Sequence, residues 1–307
     1  MAGTAFITGA SRGIGKACAQ YLARAGFDVA LSARTVTPGE AREHSSTVKK
    51  SDTTPLPGSL EETAALVEAE GREAFIVAAD LTDAASLGAA AATVLAHWGS
   101  VDVVVHNGRY IGPGHMDRLL ETPIELIEKQ IFANAVAQLI LNQYFLPPML
   151  AKGRGTIINI TSAAGYGDPT KPAGDGGWGL GYPMSKAAAH RIAGVLQAEH
   201  GHQGLRAFNV QPGFINTERM AQDMGEFGFE LTGAPPDVIG AVVAFLATDP
   251  AADDLVGATV EGQFVCYERG LLPGWNGPNP NDNALRYDRS GSTLEELEAQ
   301  LRERLGR

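Results

Sequence analysis

The chain has 307 residues, of which 44% are hydrophobic and 19% are charged, and this composition excludes an intrinsically disordered protein. Its formal net charge of −11 argues against nucleic acid or an anionic membrane as a partner, so an anionic ligand would need a local cluster of Arg or Lys. Cys18 and Cys266 are the two cysteines, no charged leader precedes an apolar segment, and no apolar run reaches the roughly 18 residues of a membrane span. These features predict a cytoplasmic protein without a disulfide framework, a metal site or a membrane segment.

Short apolar strands alternate with helical segments along the chain. Strands are predicted at 4–7, 27–32, 74–78, 101–105, 156–160, 206–210 and 259–265. Helices are predicted at 16–25, 59–70, 84–97, 123–151, 183–200 and 236–247, and the longest is expected to break near Pro147-Pro148. The alternation predicts an α/β fold, a doubly wound parallel sheet of about seven strands with helices on both faces. We expect one domain at 1–270, followed by a C-terminal extension at 271–307 that ends in a helix.

Two segments interrupt the alternation. Residues 35–58 are polar and contain three prolines, and we interpret them as a mobile surface insertion in preference to a binding element. Residues 165–181 are rich in glycine and proline and contain one tryptophan, Trp178. Both are treated as insertions into the domain.

The first strand is followed by the sequence Thr8-Gly9-Ala10-Ser11-Arg12-Gly13-Ile14-Gly15. A strand, a glycine turn and a helix in this order direct backbone N–H groups and a helix N-terminus at a phosphate. The glycine spacing differs from the Gly-x-Gly-x-x-Gly of most dinucleotide sites. The candidate cofactor-binding residues in this turn are Gly9, Ser11, Arg12, Gly13, Ile14 and Gly15.

Tyr182 and Lys186 stand four positions apart at the start of a predicted helix, so their side chains would project to one side about one turn apart. The ammonium and the positive end of the helix would stabilise the phenolate and make the phenol a usable acid/base. Taken alone, the spacing favours two residues on a solvated helix, so the functional interpretation depends on the rest of the chain.

Together the glycine turn and Tyr182-x-x-x-Lys186 resemble the short-chain dehydrogenase/reductase family over residues 4–265. The resemblance implies a Rossmann-type fold and hydride transfer between a nicotinamide cofactor and a carbonyl or secondary alcohol. It implies that Tyr182 delivers the proton, Ser162 orients the oxygen, Lys186 binds the nicotinamide ribose and Asn134 holds a water that links Lys186 to solvent. The other cofactor-binding residues that it implies are Asp80, Leu81, Asn107, Gly108, Pro212, Gly213, Ile215 and Thr217, together with Tyr182 and Lys186.

Three features depart from the family pattern. His106-Asn107-Gly108-Arg109 replaces Asn-Asn-Ala-Gly, and Arg109 adds bulk and charge near the site. Ser162 and Tyr182 lie 20 positions apart, which is longer than usual, so the stretch between them is expected to loop out as part of the substrate wall. Cys266 to Gly270 replace the usual Asp-Gly-Gly.

The residues after the second strand predict the cofactor. Ser32-Ala33-Arg34 contains no acid that would bind ribose hydroxyls and repel a 2′-phosphate, and Arg12 supplies a second guanidinium. We therefore predict NADP(H) in preference to NAD(H). The alternative is that Arg34 only stacks on adenine.

The candidate substrate pocket is apolar and aromatic, which suggests a hydrophobic alcohol or ketone, although the same residues also fit a plain core. Its members are Tyr166, Trp178, Phe214, Met220, Met224, Phe227 and Phe229. Residues 218–233 are expected to form a lid. The resemblance implies a homodimer or homotetramer. Two alternatives stay open, an isomerase or dehydratase that keeps its cofactor, and a catalytically silent nucleotide-binding regulatory protein.

Overall fold

The computed structural model describes residues 3–223 and 233–278. Seven strands form one parallel sheet in the order β3-β2-β1-β4-β5-β6-β7, which confirms the predicted doubly wound α/β fold. The strands are β1 Gly3–Thr8, β2 Phe27–Ser32, β3 Ala74–Ile76, β4 Val103–His106, β5 Gly155–Ile160, β6 Leu205–Gln211 and β7 Thr259–Glu261.

Helices connect successive strands and cover both faces of the sheet. They are α1 Gly13–Arg24, α2 Leu60–Ala69, α3 Ala84–Trp98, α4 Ile124–Ile131, α5 Ala137–Ala151, α6 Gly181–His200, α7 Glu218–Asp223, α8 Asp237–Thr248 and α9 Gly262–Glu268. Within the described residues, none of these helices combines the length and apolarity needed to cross a bilayer.

The core lies on both sides of the sheet because the strands are buried on both faces. Neighbouring residues of β1 show this, since Phe6 packs with α3, α5 and α6 while Ile7 packs with α1, α2 and α8. Successive side chains of a strand point to opposite faces, so a strand covered twice needs a nearly continuous apolar run. This is why the strands could be read from the sequence.

The helix predicted at 123–151 is interrupted at a different place from the one expected. A π-helical turn, Phe132–Val136, separates α4 from α5, whereas Pro147 and Pro148 lie inside α5 and do not break it. Each proline removes one N–H donor from the last turns of α5, and the helix nevertheless continues to Ala151. The prediction of a break at the prolines was wrong.

The predicted last strand, 259–265, is also wrong in its second half. β7 ends at Glu261, and the chain turns at once into α9, which packs on α8. Gly262 permits this close approach, because a Cβ there would lie 2.7 Å from Ile239 Cδ1.

The insertion at 35–58 does not lie on the surface along its whole length. Its central residues His44, Ser45, Ser46 and Thr47 are buried. Backbone and side-chain hydrogen bonds to distant parts of the chain hold them, as described below. The interpretation as a surface insertion was therefore wrong for this segment.

Candidate active site

A cavity of about 250 Å³ opens at the carboxyl ends of the strands, beside the neighbouring strands β1 and β4. The connections leave β1 in one direction along the sheet and β4 in the other, so this is the topological switch point where α/β proteins bind ligands. We call it the active-site cleft. The predicted site residues that line it are Gly9, Ser11, Arg12, Gly13, Ile14, Arg34, Asp80, Leu81, Asn107, Gly108, Tyr182, Lys186, Pro212 and Thr217.

The glycine turn is held by the turn that follows β4. Asn107 Nδ2 donates to the carbonyls of Thr8 and Gly9, each at 3.1 Å. Gly9 has a φ of +66°, and a Cβ there would lie 2.7 Å from Gly108 Cα. Gly15 contacts the Gly9 carbonyl so closely that a Cβ would overlap it. This packing leaves a side-chain-free surface at the start of α1, which fits the diphosphate of a dinucleotide.

A carboxylate already lies at this helix N-terminus. Glu218 Oε2 accepts a hydrogen bond from the Gly13 N–H at 3.0 Å, and Glu218 Oε1 pairs with Lys16 Nζ at 2.5 Å. Although burial raises the pKa of Glu218, the hydrogen bonds from Lys16 and Gly13 lower it overall. Glu218 therefore satisfies a backbone donor that a phosphate would also use.

Tyr182 and Lys186 share one turn of α6, which begins at Gly181, two residues before the predicted start. Lys186 is buried, and its Nζ donates to the Ile160 carbonyl at the end of β5 at 2.8 Å. Burial, and then the positive charge of Arg109, lowers the pKa of Lys186 to about 7. The ammonium can therefore lose its proton near neutral pH.

The Tyr182 ring is surrounded by three side chains. The His115 and Trp178 rings lie 4.6 and 5.1 Å from it between centroids, and Arg109 Cζ lies 5.8 Å from its centroid. His115 is buried, and burial followed by the charges of Arg109, Arg219 and Lys186 lowers its pKa well below the usual value. The surroundings of the phenol are thus aromatic and positively charged.

Ser162 follows β5 and begins a 3₁₀ turn, Ala163–Gly165. Its Oγ accepts from the Ala164 N–H at 3.3 Å. The turn packs tightly on α6, because a Cβ at Gly165 would lie 2.9 Å from the Lys186 carbonyl carbon. Ser162 is thereby brought to the start of the helix that carries Tyr182, although it does not line the cleft itself.

Asn134 lies in the π-helical turn and ties together two parts of the site. Its Oδ1 accepts from the Tyr110 N–H at 2.6 Å, and its Nδ2 donates to Ser185 Oγ at 2.8 Å. Gln138 Nε2 donates to the Asn134 carbonyl at 2.8 Å. Asn134 therefore joins the loop after β4 to α6 between Tyr182 and Lys186, and its water-mediated role stays a prediction.

Arginines collect at the far end of the cleft, where the adenosine ribose of a dinucleotide would lie. Arg12 is held by the carbonyls of Pro57 and Gly58, at 2.8 and 2.9 Å. The pKa of Arg12 is lowered, mainly by burial and also by the nearby positive charge of Arg34, although the negative charge of Glu218 acts in the opposite direction. Arg42 lines the same end and donates to the Arg34 carbonyl at 3.1 Å.

The buried part of the insertion forms a wall of the site. The Ser46 carbonyl accepts from the N–H groups of His115 and Met116, at 3.1 and 2.8 Å. Thr47 Oγ1 donates to Asp117 at 2.5 Å. Arg219 Nη2 reaches back from α7 to the His44 carbonyl at 2.9 Å and to Ser46 Oγ at 2.8 Å. Sequence reasoning missed this wall, because the contacts that bury it come from residues that are distant in the sequence.

Gln263 in α9 holds the segment predicted to bind the nicotinamide carboxamide. Its Nε2 donates to the carbonyls of Pro212 and Phe214, both at 3.1 Å. Gly213 between them has a φ of +70° and contacts the Gln263 side chain. Gln263 precedes the departure at Cys266 to Gly270, and sequence reasoning did not single it out. Neither Gly213 nor the buried Ile215 lines the cleft.

The predicted substrate pocket is only partly assembled. Met220 lines the active-site cleft. Trp178 contacts the Tyr182 ring, but it lines a second, more open groove together with Tyr166 and Met184. The Tyr166 hydroxyl lies 3.2 Å from Glu261 Oε1. Phe214 is half-buried against Gly233. Met224, Phe227, Phe229 and most of the predicted lid lie outside the described residues.

A doubly wound sheet with a glycine turn at its switch point defines the class of nucleotide-binding α/β proteins. The sequence model of the family described as "short chain dehydrogenase" matches residues 3–56 and 53–226. A "Probable short-chain type dehydrogenase/reductase" of Bradyrhizobium diazoefficiens is 30% identical over 283 residues, which cover 87% of this chain and 86% of the relative. The chain therefore belongs to the short-chain dehydrogenase/reductase family of oxidoreductases, as its motifs predicted.

Further similarities agree with this family. Cyclohexanol dehydrogenase of Rhodococcus sp. is 27% identical over 266 residues, covering 83% of this chain and 93% of the relative. The solved structure of carveol dehydrogenase from Mycobacterium avium in complex with NAD has a TM-score of 0.68 and 21% identity, covering 84% of this chain and 95% of that chain. The structural similarity supports the shared fold.

Proposed function

We propose that this protein is an NADP(H)-dependent oxidoreductase that interconverts a carbonyl and a secondary alcohol. The single observation that carries the proposal is that Tyr182 and Lys186 lie on one helical turn and face the same cleft as the glycine turn. A proton donor and a dinucleotide site that open into one cavity are what hydride transfer to a carbonyl needs.

When bound, the nicotinamide supplies the hydride. In carbonyl reduction the Tyr182 hydroxyl donates a proton to the developing alkoxide, and the Ser162 hydroxyl orients that oxygen. Lys186 holds the nicotinamide ribose and stabilises the phenolate that remains. The lowered pKa of Lys186 lets it pass a proton on near neutral pH. Asn134 fixes this part of α6 through Ser185.

The cofactor preference rests on charge. Arg34 and Arg12 lie together at the ribose end of the cleft, and Ala33 stands where an acid would repel a 2′-phosphate. A hydrogen bond to a charged group contributes about 1.5–3 kcal/mol, or about 10- to 100-fold in affinity. We expect Arg34→Ala to lower the NADP(H)-to-NAD(H) ratio of kcat/KM by about 10-fold, whereas Arg24→Ala should leave the ratio unchanged. Equal use of both cofactors by the unaltered protein would refute the preference.

The test of the activity is nicotinamide absorbance with a panel of ketones and secondary alcohols. We expect Tyr182→Phe to lower kcat by about 100-fold or more, since a positioned general acid contributes about that much. Tyr144→Phe is the matched control, because Tyr144 is exposed on α5. Unchanged kcat in Tyr182→Phe and Ser162→Ala would exclude this mechanism. Product formation without net cofactor turnover would indicate the isomerase or dehydratase.

The apolar rings beside Tyr182 suit a hydrophobic body in the substrate. Trp178 lies beside both the phenol and His115, whose ring centroid is 5.2 Å away. We expect longer or aromatic ketones to have a lower KM than acetone. Trp178→Ala should weaken that preference, because it removes apolar surface beside the phenol.

We also propose self-association as a homodimer or homotetramer of a cytoplasmic protein. Apolar side chains are exposed on α5 and α6, among them Leu139, Tyr144, Met184 and Val195. Light scattering at micromolar concentration tests this, and a monomeric mass would contradict it.

A further inference from the structure

Three cations surround the position where the proposed reaction takes place. Arg109, Lys186 and Arg219 all line the active-site cleft next to Tyr182. Arg109 and Arg219 both lower the pKa of the buried His115 by their charge, and Arg109 lowers that of Lys186, so the cations lie close together. The sequence as a whole carries a net charge of −11, and the cluster is therefore a local exception.

The described residues do not neutralise Arg109. Its hydrogen bond there goes from Nη1 to the Tyr110 carbonyl at 3.1 Å, and none of the ion pairs in the described residues involves it. The acids that line the described cleft have other partners, since Glu43 accepts from the Ser45 N–H and Asp80 from the Thr82 N–H, both at 2.8 Å. The guanidinium thus has donors left for a ligand.

The cofactor phosphates do not account for Arg109. The glycine turn and the N-terminus of α1 provide their donors, and Arg12 and Arg34 lie at the ribose end. Arg109 lies over the ring of the proposed acid/base, at the nicotinamide end. The substrate would lie at this end of the cleft, so the positive charge of Arg109 would face the substrate.

We propose that the substrate carries a carboxylate, that Arg109 binds it, and that the carbon to be reduced lies one or two bonds from the carboxylate carbon. The inference rests on the proposed function and narrows its substrate to 2-oxo or 3-oxo acids and the matching hydroxy acids. The planar guanidinium matches a carboxylate in a bidentate pair. The Trp178 ring, 5.1 Å from the Tyr182 ring between centroids, would contact the apolar body of such a substrate. Arg219 supports the site through its charge while it holds the insertion.

The test compares benzoylformate with its neutral methyl ester, using NADPH oxidation. We expect the unaltered protein to prefer the acid by about 10- to 100-fold in kcat/KM, the range of a hydrogen bond to a charged group. Arg109→Gln should remove this preference, because kcat/KM for the acid should fall about 10- to 100-fold more than kcat/KM for the ester. Arg154→Gln removes an exposed arginine that the cleft does not use and should keep the preference.

A binding measurement separates the substrate from the chemistry. Calorimetry with benzoate and benzamide, in the presence of NADP⁺, should give tighter binding of benzoate that is lost in Arg109→Gln. Benzoate binding no tighter than benzamide overturns the inference, and so does an equal loss of acid and ester activity in Arg109→Gln. If the protein reduces the ester and shows no preference for the acid, the inference of a substrate carboxylate is overturned, whereas the proposed reductase function stands. Absence of NADPH oxidation with every ketone tested instead contradicts the proposed function, and the binding measurement then still decides about Arg109.

Discussion

Glu218 accepts a hydrogen bond from the backbone N–H of Gly13 at the first residue of α1. The contact joins a residue of α7 to the glycine turn across 205 positions of sequence. A helix N-terminus attracts an anion, and here the carboxylate of the protein itself is that anion. A dinucleotide phosphate at this turn would compete with Glu218, and its binding would then be coupled to the position of α7.

Glu218→Gln should strengthen dinucleotide binding. The phosphate would no longer compete with a carboxylate for the Gly13 N–H, and Lys16 would be released from its ion pair. Interactions of this kind contribute about 0.3–1 kcal/mol, so the Kd should fall about two- to fivefold. Fluorescence titration with NADPH measures it, and Glu125→Gln, an exposed carboxylate on α4, is the control. A higher Kd in Glu218→Gln would mean that the carboxylate does not compete with the phosphate.

Lys186 should make stability depend on pH. Its pKa is about 7 in the folded protein against an ordinary 10.5, so between these values the unfolded chain binds a proton that the folded protein has released. The free energy of unfolding should therefore gain a contribution that rises with pH across this window. Below pH 7 both states are protonated and the buried charge destabilises the fold.

Lys186→Met should remove this contribution. The variant should be most stable relative to the unaltered protein below pH 7, and the difference should shrink as the pH rises towards 10. Urea unfolding at several pH values measures it. In Arg109→Gln the pH range over which Lys186 affects stability should narrow, because removing the neighbouring positive charge raises the pKa of Lys186 in the folded protein. A pH-independent difference between Lys186→Met and the unaltered protein would show that Lys186 keeps its ordinary pKa.

Gln263→Ala should damage the cofactor site from a distance. The substitution leaves the Pro212 carbonyl without the Gln263 donor, whereas the Phe214 carbonyl keeps the Ala234 N–H at 2.9 Å. The loss should cost about 1–3 kcal/mol of stability. We expect a raised KM for NADPH with a smaller change in kcat, since the segment after β6 would lose its support. Gln203→Ala, at an exposed position beside His200, is the control. An unchanged KM for NADPH together with lower stability would limit Gln263 to a structural role.

Asp117→Asn should loosen the wall formed by the insertion. The buried carboxylate accepts from Thr47 Oγ1, the Val48 N–H and the Gly114 N–H, and an amide can replace only part of this acceptor set. We expect a loss of about 1–3 kcal/mol in the free energy of unfolding. Asp175→Asn removes a carboxylate from an exposed ion pair and should cost less than about 1 kcal/mol. Equal losses in the two variants would mean that Asp117 does not anchor the insertion.

The parts of the molecule that depend on local pattern were predictable. The strands are buried on both faces, so Phe6 and Ile7 and their counterparts give apolar runs that can be read directly. The glycine turn and Tyr182-x-x-x-Lys186 are also local, and they open into one cleft because parallel strands end at the same edge.

The parts that depend on distant contacts were not predictable. Residues 44–47 look like polar surface until Arg219 and the backbone of 115–117 are placed against them. The proline pair appeared to be the helix breaker, whereas Asn134 lies where the helix is interrupted, next to Tyr110 and Ser185. Arg109 could be seen as a departure from the family pattern, but only its place over Tyr182 suggests a function.

The hydrogen bonds around Ser46 join segments separated by 69 to 175 positions. Closing such long loops costs conformational entropy that only the assembled unit offsets. The insertion, the loop after β4 and α7 should therefore open and close as one cooperative unit in native-state hydrogen exchange. The amides of His115 and Met116 donate to the Ser46 carbonyl. Any condition that slows hydrogen exchange at these two amides should also slow it along α7. A ligand that contacts any one of the three segments would protect all of them.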